Sequence, residues 1–96
     1  MRHDVVVTKL APTMRVMTWN LWWRFGPFEQ RLPAIIDTMR QVDADVLCLQ
    51  EVWSNNERDV ADEIAAALDM HAVRTDPVLW NGESFGNAIL SRWPIE

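Results

Sequence analysis

Two side chains in this 96-residue sequence have a chemistry that their apolar surroundings do not explain. Asn20 closes the stretch MRVMTWN that starts at Met14, and Glu51 closes the stretch DVLCLQE that starts at Asp45. A carboxylate at the end of a run that otherwise favours burial is costly unless a cation or hydrogen-bond donors meet it. A carboxylate beside an amide oxygen suits a hard, oxygen-seeking cation such as Mg²⁺. That ion keeps several waters and needs only one or two protein carboxylates when phosphate supplies the rest. The competing reading is that Asn20 and Glu51 cap strand ends through hydrogen bonds.

The elements that must position the pair can be read from the pattern. Residues 14–20 alternate and are rich in β-formers, which predicts a strand. A loop with Gly26-Pro27 as its breaker follows. From Glu29 to Val42, apolar residues fall at Leu32, Ile35, Ile36, Met39 and Val42, the offsets of an amphipathic helix, with Pro33 placed near its start. Val46 to Val52 is a nearly continuous apolar run broken by Gln50-Glu51, which suits a strand buried on both faces. Ser54 to Glu57 matches a capping box opening a second helix to about Met70, with Val60, Ile64, Ala67 and Leu68 inward. A short strand over His71 to Arg74 and a hairpin turning at Asn81-Gly82 complete the order β-α-β-α-β-β-β, an α/β or layered α+β architecture. Strand, helix, strand in that sequence implies parallel neighbours with a right-handed crossover. Asn20 and Glu51 then meet at one rim of the sheet, where ligands of such sheets bind.

Composition excludes several classes. The chain is 49% hydrophobic, carries 14 acidic against 9 basic residues, and has only 3 Gly and 5 Pro. It is long enough for one domain and is neither low-complexity nor disordered by composition. No apolar run approaches the roughly 20 residues of a membrane helix. A net charge of −5 gives no long-range attraction for nucleic acid. The single cysteine, Cys48, sits among apolar neighbours and reads as a small buried hydrophobe, which fits a reducing, cytoplasmic setting. Residues 1–13 read as a loose, disordered leader without a secretory pattern, and Met14 is a candidate true start. Six Trp are present, and Trp22-Trp23-Arg24-Phe25 follows Asn20 directly. Packing of the loop is the favoured use of these aromatics, and stacking on bases or sugars is the other.

Three segments together resemble the opening motifs of a known family. They are Met17-Thr18-Trp19-Asn20-Leu21, then Asp45 through Val52 (DVLCLQEV), then Phe85 through Ile95 (FGNAILSRWPI). In this order, with Arg31 in the first helix, the chain from Met14 to Glu96 resembles the endonuclease/exonuclease/phosphatase family of metal-dependent phosphoesterases. The resemblance implies the N-terminal part of a four-layered, deoxyribonuclease I-like α/β sandwich. It implies Glu51 as a metal ligand and Asn20 as a residue of the phosphate and metal pocket, with Mg²⁺ (Mn²⁺ as the alternative) as cofactor. It further implies hydrolysis of a phosphodiester or phosphomonoester, as a nuclease or a phosphatase, with nucleic acid or a small phosphoester as substrate.

The family's remaining machinery has no counterpart here. The sequence contains no Gly-Asp, no Asp-x-Asn and no Asp-His, and its two histidines, His3 and His71, match no catalytic motif. Family domains run to roughly 250 residues, within the range of one large domain. The resemblance therefore implies that residues 14–96 are an N-terminal fragment, inactive alone, with one sheet lying uncovered and a missing C-terminal half needed in cis or in trans. The alternative is a non-catalytic relic or a binding module that uses the Trp-rich rim.

Overall fold

The computed structural model describes residues 5–10, 14–75 and 78–95. Its strands are β1 (Val5–Leu10), β2 (Met14–Asn20), β3 (Val46–Ser54), β4 (His71–Arg74), β5 (Val78–Trp80) and β6 (Glu83–Ser91). Two helices, α1 (Phe28–Val42) and α2 (Val60–Leu68), lie between them in the chain. The sheet order is β1-β2-β3-β6-β4, with β5 pairing β6. The element order expected from Met14 onward is the one observed, with one strand added before it.

That added strand is a correction. Residues 5–10 were expected in a loose leader, but they pair antiparallel with β2, Val5 opposite Trp19 and Leu10 opposite Met14. The run Val5-Val6-Val7 is strongly β-branched, and branched side chains favour the pleated conformation. The remainder of the expected leader lies outside the described residues.

The crossover forms as the pattern requires. β2 and β3 are parallel, with Val16 opposite Val46 and Asn20 opposite Gln50. α1 connects them and buries Phe28, Leu32, Ile35 and Met39, offsets of four, three and four that keep one stripe against the sheet. Pro33 sits inside α1, beyond its first turn, so the missing N–H costs a helical hydrogen bond there. α2 begins later than the sequence suggested. Ser54 is the last residue of β3, and Asp59 is the helix N-cap, its side chain accepting from the Asp62 amide. The capping-box expectation fails because Ser54 is held in the ladder opposite Ser84. Between them Asn55 closes a turn, its side-chain oxygen accepting from the amides of Glu57 and Arg58. α2 buries Val60, Ala61, Ile64 and Ala65, while Ala67 is exposed.

The sheet has one covered face. Leu47, Leu49 and Leu90 are at most 1% exposed and pack into the core with both helices. Their alternating neighbours Val46, Cys48 and Gln50 are only half-buried. The cross-strand row Val6, Thr18, Cys48, Ile89 and Val73 runs over this second face, where Ile89 and Val73 are each 47% exposed. The expectation of a β3 buried on both faces therefore holds for one face only, and Cys48, expected to be buried, is half-buried because it lies on the other. At the Asn81-Gly82 turn both residues have positive φ, 51° and 76°, the conformation a two-residue hairpin loop demands. Among the described residues no helix is long and apolar enough to cross a membrane.

Candidate active-site rim

The rim is built on an irregularity in β3. Leu49 opposes Ala88 and Val52 opposes Gly86, so Gln50 and Glu51 together face the single residue Asn87. This is a β-bulge, which bends the strand and re-aims a side chain. Glu51 takes φ 53°, in the left-handed region that non-glycine residues avoid. The bulge leaves a signal in the sequence. Gln50-Glu51 interrupts an apolar run, and after it Val52 and Trp53 are both buried in succession, which strict alternation forbids.

The bulge brings Glu51 to Asn20. The amide Nδ2 of Asn20 donates to Glu51 Oε2 at 2.5 Å, and the backbone amide of Trp22 donates to Asn20 Oδ1 at 2.9 Å. The expected approach of the two residues at the C-terminal rim of the parallel strands is thus observed. Asn20 bridges a backbone donor and a carboxylate, so its side-chain orientation is fixed at both ends. Glu51 is half-buried, and no Arg or Lys among the described residues pairs with it. A negative charge in that position lacks the partner that burial calls for.

The β2–α1 loop is fastened over the bulge. Leu21 N donates to Gln50 O at 2.9 Å and Trp23 N to Glu51 O at 2.8 Å. The Trp23 indole donates across to Ser84 O of β6 at 2.9 Å. Trp22 and Trp23 have φ 60° and 51°. Left-handed backbone costs bulky residues about 1–2 kcal/mol each. Such strain persists only where surrounding contacts over-determine it, and it clusters at functional sites. Arg31, in α1, clamps the loop from the other side. Its guanidinium donates to Leu21 O and twice to Phe25 O, and burial draws its pKa below the ordinary value. All three of its nitrogens are spent on carbonyls, which makes it a structural clamp.

The aromatic segment packs chiefly on itself. Trp23 meets Phe25 at 5.3 Å and Phe85 at 6.4 Å between ring centroids, and Trp22 meets Phe25 at 5.7 Å. Arg24 lies over Trp23 and Trp53 and pairs with Glu83, which also accepts from the Trp53 indole. Packing, the favoured expectation for these aromatics, describes most of this cluster, although Phe25 and Phe85 stay about two-fifths exposed. His71 is an exposed residue at the start of β4, and His3 lies outside the described residues.

Whether the rim suits a divalent cation can be judged from its donors. Among the described residues no three His, Cys, Asp or Glu side chains form a cluster. The rim offers one carboxylate, with Oε2 engaged by Asn20 and Oε1 left without a hydrogen-bond partner among those residues. That set fits Mg²⁺, which accepts one protein carboxylate together with waters and phosphate oxygens, and it does not fit Zn²⁺, whose sites use three or four nitrogen or sulfur-rich ligands.

Comparison with known proteins agrees with the fold. Residues 17–96 match the profile of the endonuclease/exonuclease/phosphatase family. The chain is 31% identical over 97 aligned positions to the uncharacterized protein YbhP of Escherichia coli K12 and of Shigella flexneri. The alignment covers 88% of this chain and 38% of those relatives, so the chain spans well under half of their length. An endonuclease/exonuclease/phosphatase family protein from Leptotrichia buccalis superposes with a TM-score of 0.74 at 16% identity, covering 88% of this chain and 40% of that one. An endonuclease/exonuclease/phosphatase from Beutenbergia cavernae superposes with a TM-score of 0.64 at 26% identity, covering 84% and 26%.

Proposed function

The chain belongs to the endonuclease/exonuclease/phosphatase family, and on that premise we propose that it forms part of a metal-dependent phosphoesterase whose metal ligand is Glu51. The observation that carries this reading is the unpaired, half-buried Glu51 carboxylate held by Asn20 on a strained bulge. Glu51 would hold the Mg²⁺ through its free oxygen. A divalent cation bound there supplies polarisation of a phosphoryl oxygen and stabilisation of the leaving group. Asn20 keeps the carboxylate from rotating away, and the Trp22 amide keeps Asn20 from flipping. The substrate is a phosphodiester or phosphomonoester, and the surplus of acidic residues favours a small phosphoester over bulk DNA.

The groups that would activate the attacking water are absent from this sequence, which has no Asp-His and no Asp-x-Asn. The activity accordingly belongs to an assembly in which further residues, supplied in cis or in trans, complete the rim. The test is Mg²⁺-dependent hydrolysis of bis-p-nitrophenyl phosphate, with the 96-residue chain assayed alone. No turnover above the uncatalysed background is expected, and robust cleavage would refute the incomplete-site reading. Manganese titration of the same chain, followed by the electron paramagnetic resonance of the free ion, tests the metal site separately. One bound ion per chain, lost in Glu51→Gln, is expected; no difference between the two proteins would refute Glu51 as ligand.

A further inference from the structure

The β2–α1 loop contains a device that neither the family membership nor the Asn20–Glu51 contact accounts for. Trp23 makes two directed hydrogen bonds to two different strands on either side of the bulge. Its backbone amide donates to the carbonyl of Glu51 in β3, and its indole donates to the carbonyl of Ser84 in β6. The residue before it supplies the amide that holds Asn20. Both Trp22 and Trp23 take left-handed backbone to reach these partners, and so does Glu51 itself. A loop that needed only to cover the core could do so in ordinary conformations. Here three consecutive hydrogen bonds, from Leu21, Trp22 and Trp23, lock the loop to Gln50, Asn20 and Glu51 in turn.

We infer that Trp23 is the positioning residue of the Glu51 metal site. Its indole anchors the loop to β6, which keeps its own amide on the Glu51 carbonyl and the Trp22 amide on Asn20. The backbone of Glu51 and the side chain of its partner are then fixed by one residue. The inference rests on the reading of Glu51 as ligand, yet it makes a claim about side-chain order that can be checked without a metal.

Trp23→Phe is the informative variant. It keeps a phenyl ring facing Phe25 and Phe85 and removes the indole donor together with the second ring. Manganese affinity is expected to fall about tenfold, the usual cost of losing an outer partner of a metal ligand. The Asn20 side-chain amide resonances in a nitrogen–proton correlation spectrum are expected to move toward each other and toward free-amide positions, with little change in thermal midpoint. Trp93→Phe, at an exposed tryptophan away from the rim, serves as the control and is expected to move neither readout. Trp23→Phe leaving either the affinity or the Asn20 resonances at their wild-type values would overturn the inference. Should the wild-type chain bind no manganese, the ligand reading fails by itself, and the Asn20 resonances alone decide the role of Trp23. A measurement on the unmodified chain guards against a variant that does not fold. The Trp23 indole proton is expected to exchange with solvent far more slowly than that of Trp93, and equal rates would overturn the inference.

Discussion

Strand β3 carries an acidic residue near each end, and the two are treated in opposite ways. Asp45, just before the strand, is saturated. Its side chain accepts from the Arg15 amide at 2.7 Å and from the Arg92 guanidinium at 2.6 Å, and its backbone joins both of those residues as well. Glu51, at the other end, meets a neutral amide on one oxygen and no positive charge among the described residues. The Arg15 amide and Arg92 hold the Asp45 carboxyl below its ordinary range, and Asp43 and Asp45 in turn raise the pKa of Arg92. A carboxylate that serves the fold is given its cation by the chain itself. Glu51, half-buried and strained without one, has the character that the proposed role of cation ligand calls for.

Variants along β3 can break or sharpen this contrast. The largest effect is expected in the core beneath the strand. Leu47 is 1% exposed, and Leu47→Ala is expected to cost about 2–5 kcal/mol in a urea melt, the range for emptying a leucine site in a core. At the rim, Glu51→Gln is expected to lower manganese affinity by more than about 100-fold, beyond what the loss of an outer partner costs. Its folding free energy should change by less than about 0.5 kcal/mol, because no ion pair is lost. Asn20→Ala is expected to lower manganese affinity by about tenfold, leaving Glu51 in place but free to rotate. The smallest effect belongs to the saturated end. The folded-state pKa of Asp45 lies below its ordinary 3.8, so its stabilising contribution is present above that pH and is lost as the pH falls through the lowered value. Asp45→Asn should flatten the acid limb of the stability profile between pH 4 and the acid transition, by little, since the pair is at the surface. It should leave manganese affinity unchanged.

A different contrast lies between the two faces of the sheet. The helix-covered face is closed by Leu47, Leu49 and Leu90, while Ile89 and Val73 stand exposed on the other. Exposed apolar rows of this kind promote association. Ile89→Lys is expected to shift the chain toward monomer in sedimentation, and an unchanged distribution would show that the bare face is not where copies meet.

The legibility of the molecule in its sequence followed the periodicity. The stripe Leu32, Ile35, Met39 and the alternation of residues 14–20 specified α1 and β2, and the crossover rule then placed Asn20 beside the C-terminal part of β3. What was missed has local causes. The strand over Val5–Leu10 was hidden because Val5-Val6-Val7 does not alternate with polar residues beside a leader-like terminus, and its pairing with β2 is a tertiary contact. The capping box at Ser54 misled because Ser, Asn and Asp serve turns and strand ends as well as helix caps, and here Asn55 and Asp59 divided those tasks. The stitching by Trp23 was illegible because it depends on backbone carbonyls of Glu51 and Ser84, which any residue type supplies.

The central claim is that the Glu51 end of β3, and not the Asp45 end, receives a divalent cation. Substoichiometric Mn²⁺ added to isotopically labelled chain tests it directly, since a bound paramagnetic ion broadens the resonances nearest to it. The Asn20 side-chain amide and the backbone amide of Glu51 should vanish first, while those of Asp45 and Arg92 stay sharp. Broadening that begins at Asp45, or that spreads evenly over the acidic surface and persists in Glu51→Gln, would contradict the account.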